Sequence, residues 1–230
     1  MGRILVEALE FQAAIRTTCG QLGYHARALE AGTTIFMENQ IADKMYQIVS
    51  GIVRLSKGLQ DGRRQVLGFL FAGDFFVPSG FVVGINKNAT CTAEALTDMQ
   101  IISLPLRNLD ALLTDQPKFA SDLLLATERS LIQAQQQMLR LGRMSATERV
   151  TWFLLMMKEQ QDDDGDASIH LPMSRIDIAD YLGIRSETIS RVLRWLRDHR
   201  MITVSDRATI TIIDSASMCH VSGGFYPSRL

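Results

Sequence analysis

A chain of 230 residues that is 47% hydrophobic and 21% charged has the composition of an ordinary globular protein, long enough to bury a proper core. Its formal net charge of −1 offers no global basicity, so a polyanionic partner would have to be met by a local concentration of cations. No run approaches the ~18 apolar residues of a membrane span, and the N-terminus lacks a basic start before an apolar core, so a cytoplasmic protein without membrane contact is expected.

Residues 1–27 read as an N-terminal helical segment of one or two short amphipathic helices. From Ala28 the pattern changes to short β-type runs: TTIFME, MYQIVSG, IVRLSKG, RRQVLGFLFAG, TCTAEAL and MQIISLP. Gly32, Gly51, Gly58, Gly62 and Gly73 punctuate them at spacings that suit a compact all-β unit over residues 28–106, which Pro105 closes. Residues 28–104 contain no His and no H-x-H cluster, which argues against a metalloenzyme on a cupin-like β-fold. Cys19, Cys91 and Cys219 are odd in number and widely spaced, suggesting neither a disulfide framework nor a C-x-x-C metal site.

Residues 107–142 carry the next element. After Pro117 the run KFASDLLLATERSLIQAQQQMLRLG meets no helix breaker before Gly142. Leu124, Leu131, Ala134, Met138 and Leu141 follow alternating heptad steps, and Thr127 fills the remaining position, so these six form a coiled-coil seam. The competing reading is a long core helix packed on its own all-β unit. Residues 143–160 give another helix, with Val150, Phe153, Leu154 and Met157 inward. The stretch 160–167, rich in aspartate, reads as a solvated acidic linker.

The segment from Ser174 to Arg200 reads as two short helices around a glycine turn. Ser174 can cap the first, with Asp177 completing a capping-box-like start, and Ile178, Ala179 and Leu182 supply its apolar stripe. Gly183 stands where the chain must turn, and Ser186 can cap the second helix. At 100° per residue Ser190, Arg191 and Arg194 fall within roughly 60° of Glu187 on one side of that helix, opposite Ile189, Val192, Leu193 and Leu196. Carboxylate, hydroxyl and guanidinium together are the groups that read base edges in a major groove: Arg to guanine, carboxylate to the cytosine amino group. The bland alternative is a solvated, Arg-rich surface helix. Met201 to Asp214 reads as a β-hairpin around a turn at Ser205–Ala208, and the tail 215–230 carries no periodic signal.

Helix, turn, helix and hairpin is the winged helix-turn-helix order. Residues 174–213 resemble the DNA-binding domain of the CRP/FNR regulator superfamily, and E-x-x-S-R at Glu187, Ser190 and Arg191 matches the FNR-branch reading-helix motif. The string LPMSRIDIADYLG most resembles the FixK-like group. YQIVSGIVRLSKGLQDGRRQVLGFLFAGDFF resembles the β-roll sensory domain of the same superfamily, extending the likeness over residues 28–213. The resemblance implies an α+β chain. Its parts are an N-terminal β-roll (a cyclic-nucleotide-binding-like jelly roll) over 28–106, a long dimerisation helix over 107–142, a C-terminal winged helix-turn-helix over 143–214, and a tail.

It further implies a homodimeric transcription activator on a near-palindromic double-stranded operator with TTGAT-type half-sites, in low-oxygen or nitrogen-metabolism control, with RNA polymerase as partner. Glu187, Ser190 and Arg191 would read bases. Ser174, Arg175, Arg185, Ser186, Thr188, Arg194 and Arg197 would contact the DNA backbone or assist. Ser186 departs from both branches, having Arg in the cyclic-AMP group and an apolar residue in FNR-like proteins, and leaves the outer-base preference open.

The roll departs from the ligand-binding members. No Glu follows Gly73-Asp74-Phe75, where Phe76-Val77-Pro78-Ser79 stands, and Ala89-Thr90 takes the place of the Arg-Ser pair that neutralises a cyclic phosphate. Three scattered cysteines cannot supply the four-cysteine pattern of the oxygen-sensing relatives' iron–sulfur cluster. The expectation is therefore no cofactor, no metal and no bound effector, as in the FixK-like group. The alternative is a ligand- or haem-gated regulator of the same fold, for which His25, His170, His199 and His220 are the candidate axial ligands, or a thiol switch at Cys91.

Overall fold

The structure, a computed structural model, describes residues 24–78, 88–161, 167–206 and 208–224. Residues 1–23 of the N-terminal segment, with Cys19, lie outside the described residues, as do Ser79, the aspartates at 162–164 and 166, and the end of the tail. The chain divides at Ser130/Leu131 into two compact units.

The first unit is a pair of antiparallel four-stranded sheets. Its strands are β1 (Arg27–Leu29), β2 (Thr34–Phe36), β3 (Lys44–Ser50), β4 (Val53–Gly58), β5 (Arg64–Leu70), β6 (Phe75–Phe76), β7 (Thr92–Ala95) and β8 (Met99–Pro105). One sheet runs β1-β8-β3-β6, the other β2-β7-β4-β5. Side chains alternate along a strand, so β3 serves two cores. Tyr46 and Ile48 join Phe36, Val53, Phe76 and Ile101 in the roll interior, whereas Met45 joins Ile102 and Leu104 beneath the helices that follow. Phe36, Tyr46 and Phe76 fill the interior as a ring cluster with centroids 5.2–6.0 Å apart. Gly51 makes the β3–β4 turn at φ 95°, where a Cβ would come within 2.4 Å of the Met99 Cβ, so no larger residue fits there.

Residues 107–142 are not one continuous helix. A 3-10 turn at Leu106–Asn108 leads into α1 (Leu109–Asp115), and the long helix α2 runs from Pro117 to Arg143. The break falls at Gln116, with φ −128° and ψ 79°. Proline disfavours helical backbone in the residue before it, yet suits the first helical position, where its missing N–H would have no partner. Leu109 and Leu112 of α1 and Phe119 and Leu123 of α2 close over Met45, Ile102 and Leu104.

In the second unit α3 (Ala146–Gln161) opens with a reciprocal cap: the Glu148 carboxylate accepts from the Ser145 N–H at 2.6 Å, and the Ser145 hydroxyl accepts from the Glu148 N–H at 3.3 Å. Beyond the expected Val150, Phe153, Leu154 and Met157, α3 also buries Thr151, Trp152 and Leu155. It is wrapped by α4 (Arg175–Leu182), α5 (Ser186–Asp198), α6 (Ser215–Val221) and β9 (Ser168–His170), so a single apolar stripe underestimates its burial. β10 (Ile202–Val204) and β11 (Thr209–Ile212) form the expected hairpin, and β9 adds an edge to give the order β10-β11-β9. The tail, which carries no periodic signal, begins as a helix. Asp214 caps α6 by accepting from the Ser217 N–H at 2.9 Å, and Met218 is fully buried against the domain.

Candidate nucleic-acid interface

The geometry of the site begins at Ser174. Its hydroxyl accepts from the Asp177 N–H at 3.1 Å and donates to the Asp177 carboxylate at 2.7 Å, while that carboxylate accepts from the Ser174 N–H at 3.0 Å. The capping box is complete, and the Ser174 hydroxyl is committed to it. α4 then ends at Gly183, φ 62°, with the Ile184 N–H returning to the Ala179 carbonyl at 3.1 Å. This left-handed turn aims α5. The expectation that Ser186 caps α5 is corrected: Arg185 is the extended residue before the helix, without a side-chain cap bond, and Ser186 is the first helical residue. A serine inside the first turn cannot turn its hydroxyl back on the helix's own leading N–H groups.

α5 sorts its side chains as the periodicity requires. Ile189, Val192, Leu193 and Leu196 are buried. Arg185, Glu187, Ser190, Arg191, Arg194 and Arg197 are exposed, with Thr188 and Ser186 half-buried beside them. The Ser190 hydroxyl donates to the Ser186 carbonyl at 3.2 Å, and Arg191 donates to the Thr188 hydroxyl at 3.2 Å. Both are weak local bonds that a better partner can displace. Arg197 pairs loosely with Asp198 at 3.4 Å on the surface. Arg175 on α4 is half-buried, and burial holds its guanidinium below the ordinary value. The structure therefore brings Glu187, Ser190, Arg191 and Arg194 onto one solvent-facing side of one helix.

Three residues that the motif reading did not single out hold this helix pair in place. Arg149 donates from all three guanidinium nitrogens, to the carbonyls of Met144 at 2.9 Å, Leu182 at 2.8 Å and Leu141 at 2.8 Å. One cation thus satisfies carbonyls at the C-terminal ends of α2 and α4, where helix dipoles favour positive charge. Arg140, 7% exposed, lies with its guanidinium carbon 3.7 Å from the Trp152 ring centroid and donates to Gln137 at 3.0 Å. Gln137 in turn donates to the Tyr181 carbonyl at 2.9 Å. Burial pushes the Tyr181 phenol up, and the Arg140 guanidinium bonded to it pulls the other way. No sequence motif marks these roles, because Arg149 and Gln137 act on main-chain carbonyls and Arg140 on a ring and side chains that meet only after folding.

On α2 the six seam residues separate. Leu124, Leu131 and Met138 are 70%, 59% and 67% exposed, an unusual state for large apolar groups repeated every seven residues. Thr127 and Ala134 are exposed beside them, and the Thr127 hydroxyl is spent on the Leu123 carbonyl at 2.8 Å. Leu141 is half-buried, next to the Gly183 turn.

Two family models match the chain: a cyclic nucleotide-binding domain over residues 26–116 and a Crp-like helix-turn-helix domain over residues 148–221. The nitrogen fixation regulation protein FixK of Rhizobium meliloti is 37% identical over 182 residues, 79% of this chain and 80% of that protein. A probable transcriptional activator of Rhizobium leguminosarum bv. viciae is 33% identical, over 82% of this chain and 77% of its own. The structure of FixK2 from Bradyrhizobium japonicum superposes with a TM-score of 0.75 at 31% identity, covering 86% of this chain and 96% of that one.

The chain belongs to the CRP/FNR family. A CRP/FNR regulator with this domain pair is a DNA-binding transcription regulator and not an enzyme, and within the family its relatives are FixK-like. No helix among the described residues is long and apolar enough to cross a membrane.

The CRP/FNR roll is where ligand chemistry would sit, and its described residues do not suit a cyclic phosphate. Ala89 is 2% exposed and donates its N–H to the Gln40 carbonyl at 2.7 Å, while Thr90 directs both N–H and hydroxyl to the Pro78 carbonyl. Arg54, on β4 of the roll, pairs with Glu94 at 2.9 Å. A buried phosphate needs an available guanidinium or several N–H donors. Among the described residues no group of three or more His, Cys, Asp or Glu side chains converges on a metal position. His25, His170, His199 and His220 are exposed on separate segments. Burial pushes the Cys91 thiol up, the direction that suppresses the reactive thiolate.

Proposed function

We propose that this CRP/FNR protein is a homodimeric, sequence-specific transcription activator that binds an inverted TTGAT-type repeat without a small-molecule effector. The observation that carries the reading is the exposed face of α5, where Glu187, Ser190 and Arg191 stand in the FNR-branch spacing beside Arg194. Base contacts by the first three would set specificity, and backbone contacts by Arg185, Arg194 and Arg197, with Arg175, Ser174, Ser186 and Thr188 assisting, would set affinity and its salt dependence. The exposed Leu124–Leu131–Met138 column supports a dimer through α2. A two-fold dimer would set its two reading helices about 34 Å apart, one turn of DNA. The activator reading rests on relatives named as activators, and RNA polymerase is the partner that activation requires. Effector independence is supported by Ala89 and Thr90 standing where the Arg-Ser pair of the ligand-binding members would, with Ala89 buried and Thr90 bonded to the Pro78 carbonyl.

Fluorescence anisotropy tests this. The purified protein without additives is titrated onto a duplex carrying the TTGAT inverted repeat, a scrambled duplex and a TGTGA-type duplex at one fixed salt. Tight binding to the first alone is expected. Equal weak binding to all three would overturn effector independence or the half-site, and a Soret band in the same sample would favour the haem-gated alternative.

A further inference from the structure

One large side chain of α5 takes no part in the reading face or in the core. Trp195 is 39% exposed, while Ile189, Val192, Leu193 and Leu196 of the same helix are buried. At 100° per residue it stands about 40° around the helix from Arg191 and about 20° from the line of Thr188, two turns further on. It therefore forms a flank of the polar face rather than its centre. The ring is held in place: His199 stacks on it with centroids 4.2 Å apart and planes 36° apart. The His199 Nδ1 lies 2.8 Å from the Trp195 carbonyl, and because a carbonyl only accepts, Nδ1 is the donor. The indole N–H meets no acceptor among the described residues. Arg191 and Arg194, both exposed, lie on the side of the ring that faces the reading residues.

We infer that Trp195 is a DNA-backbone contact, its ring face packing on deoxyribose and its indole N–H donating to a phosphate oxygen. The inference rests on α5 being the reading helix. A neutral, amphipathic ring backed by His199 and standing next to the guanidinium-bearing face matches the sugar–phosphate chain, which alternates apolar and anionic surface. Sugar and phosphate are the same at every base pair, so this contact adds affinity without sequence preference. It also releases no counterion, because the indole carries no charge.

These properties set the test. In anisotropy titrations Trp195→Ala should bind the TTGAT and scrambled duplexes equally less well, by about tenfold, the scale of one hydrogen bond to a charged group with its packing. The slope of log Kd against log salt should not change, whereas Arg194→Ala should lower that slope by about one. Trp195→Phe, which keeps a ring and loses the N–H, should recover part of the loss, and matching melting curves would show that all variants are folded. The chain has two tryptophans and Trp152 is buried beneath Arg140, so the quencher-accessible emission belongs to Trp195 and should be protected by duplex. Wild-type affinity in Trp195→Ala with no protection of the emission would overturn the contact, as would a loss confined to the TTGAT duplex. Failure of the reading-helix assignment is distinguishable: wild-type protein would then show no preference among duplexes, whatever the tryptophan does.

Discussion

Arg191 shows how much a single side chain decides. Its guanidinium is exposed, tied among the described residues only to the Thr188 hydroxyl, and able to place two parallel N–H donors on a guanine edge. Lysine keeps the charge and loses the fork. Arg191→Lys should therefore hold its affinity for a scrambled duplex and lose about 1–3 kcal/mol of preference for the TTGAT duplex, read as the ratio of the two Kd values. Arg149 is the opposite case, a cation used wholly inside the protein. Replacing it by Met leaves three carbonyls without their donor and should cost about 2–4 kcal/mol of stability by chemical denaturation. A sequence motif can name Arg191, since its role lies in its helical spacing. It cannot name Arg149, whose partners are three main-chain oxygens that meet only after folding.

At the level of elements, local chemistry accounts for the helix boundaries. Pro117 starts α2, Ser145 with Glu148 starts α3, Ser174 with Asp177 starts α4 and Gly183 ends it. Where the sequence carried no periodic signal, a neighbour supplied the difference: α6 exists because Asp214 caps it and α3 offers an apolar surface to Met218. The α2 column of Leu124, Leu131 and Met138 carries the dimer proposal. Leu131→Asp would set two carboxylates against each other across a two-fold seam. It should give a monomer in sedimentation equilibrium and weaken operator binding by about 10²-fold or more, because the two half-sites are then no longer engaged together. A variant that stays dimeric would place the interface elsewhere.

Across the whole molecule, the clearest titrating group is Asp74, between the two roll sheets' strands at the Phe71–Phe75 turn. The residue keeps some exposed surface, but its carboxyl is enclosed, and burial pushes its pKa from 3.8 up to about 6 against the opposing Phe71 N–H bond and the charge of Arg129. A raised folded-state value means that the folded protein holds this proton more tightly than the unfolded chain. The stability it contributes is complete below about pH 4 and is lost as pH rises through about 6. Asp74→Asn, which can still accept the Phe71 N–H, should remove that part of the pH dependence. At pH 7 it should melt higher than the wild type, by about 2–4 °C for a chain of this length. Thermal melts of both proteins between pH 4 and 7.5 would check the sign, and parallel curves would refute it.

The sequence by itself determined what is written in short-range periodicity and spacing: strands alternating in the roll, the heptad column on α2, the capped helix pair, and the polar face of α5 opposite its four buried residues. Those features depend on backbone geometry within a few residues, so composition and order suffice to reveal them. Only the tertiary structure decided the rest. It surrounded α3 on nearly every side, added β9 to the wing sheet, folded the tail into α6, and gave Arg140 and Arg149 partners at the helix junctions. In each case the deciding groups are far apart in the chain and bind through main-chain oxygens or shared apolar surface, which no local pattern encodes.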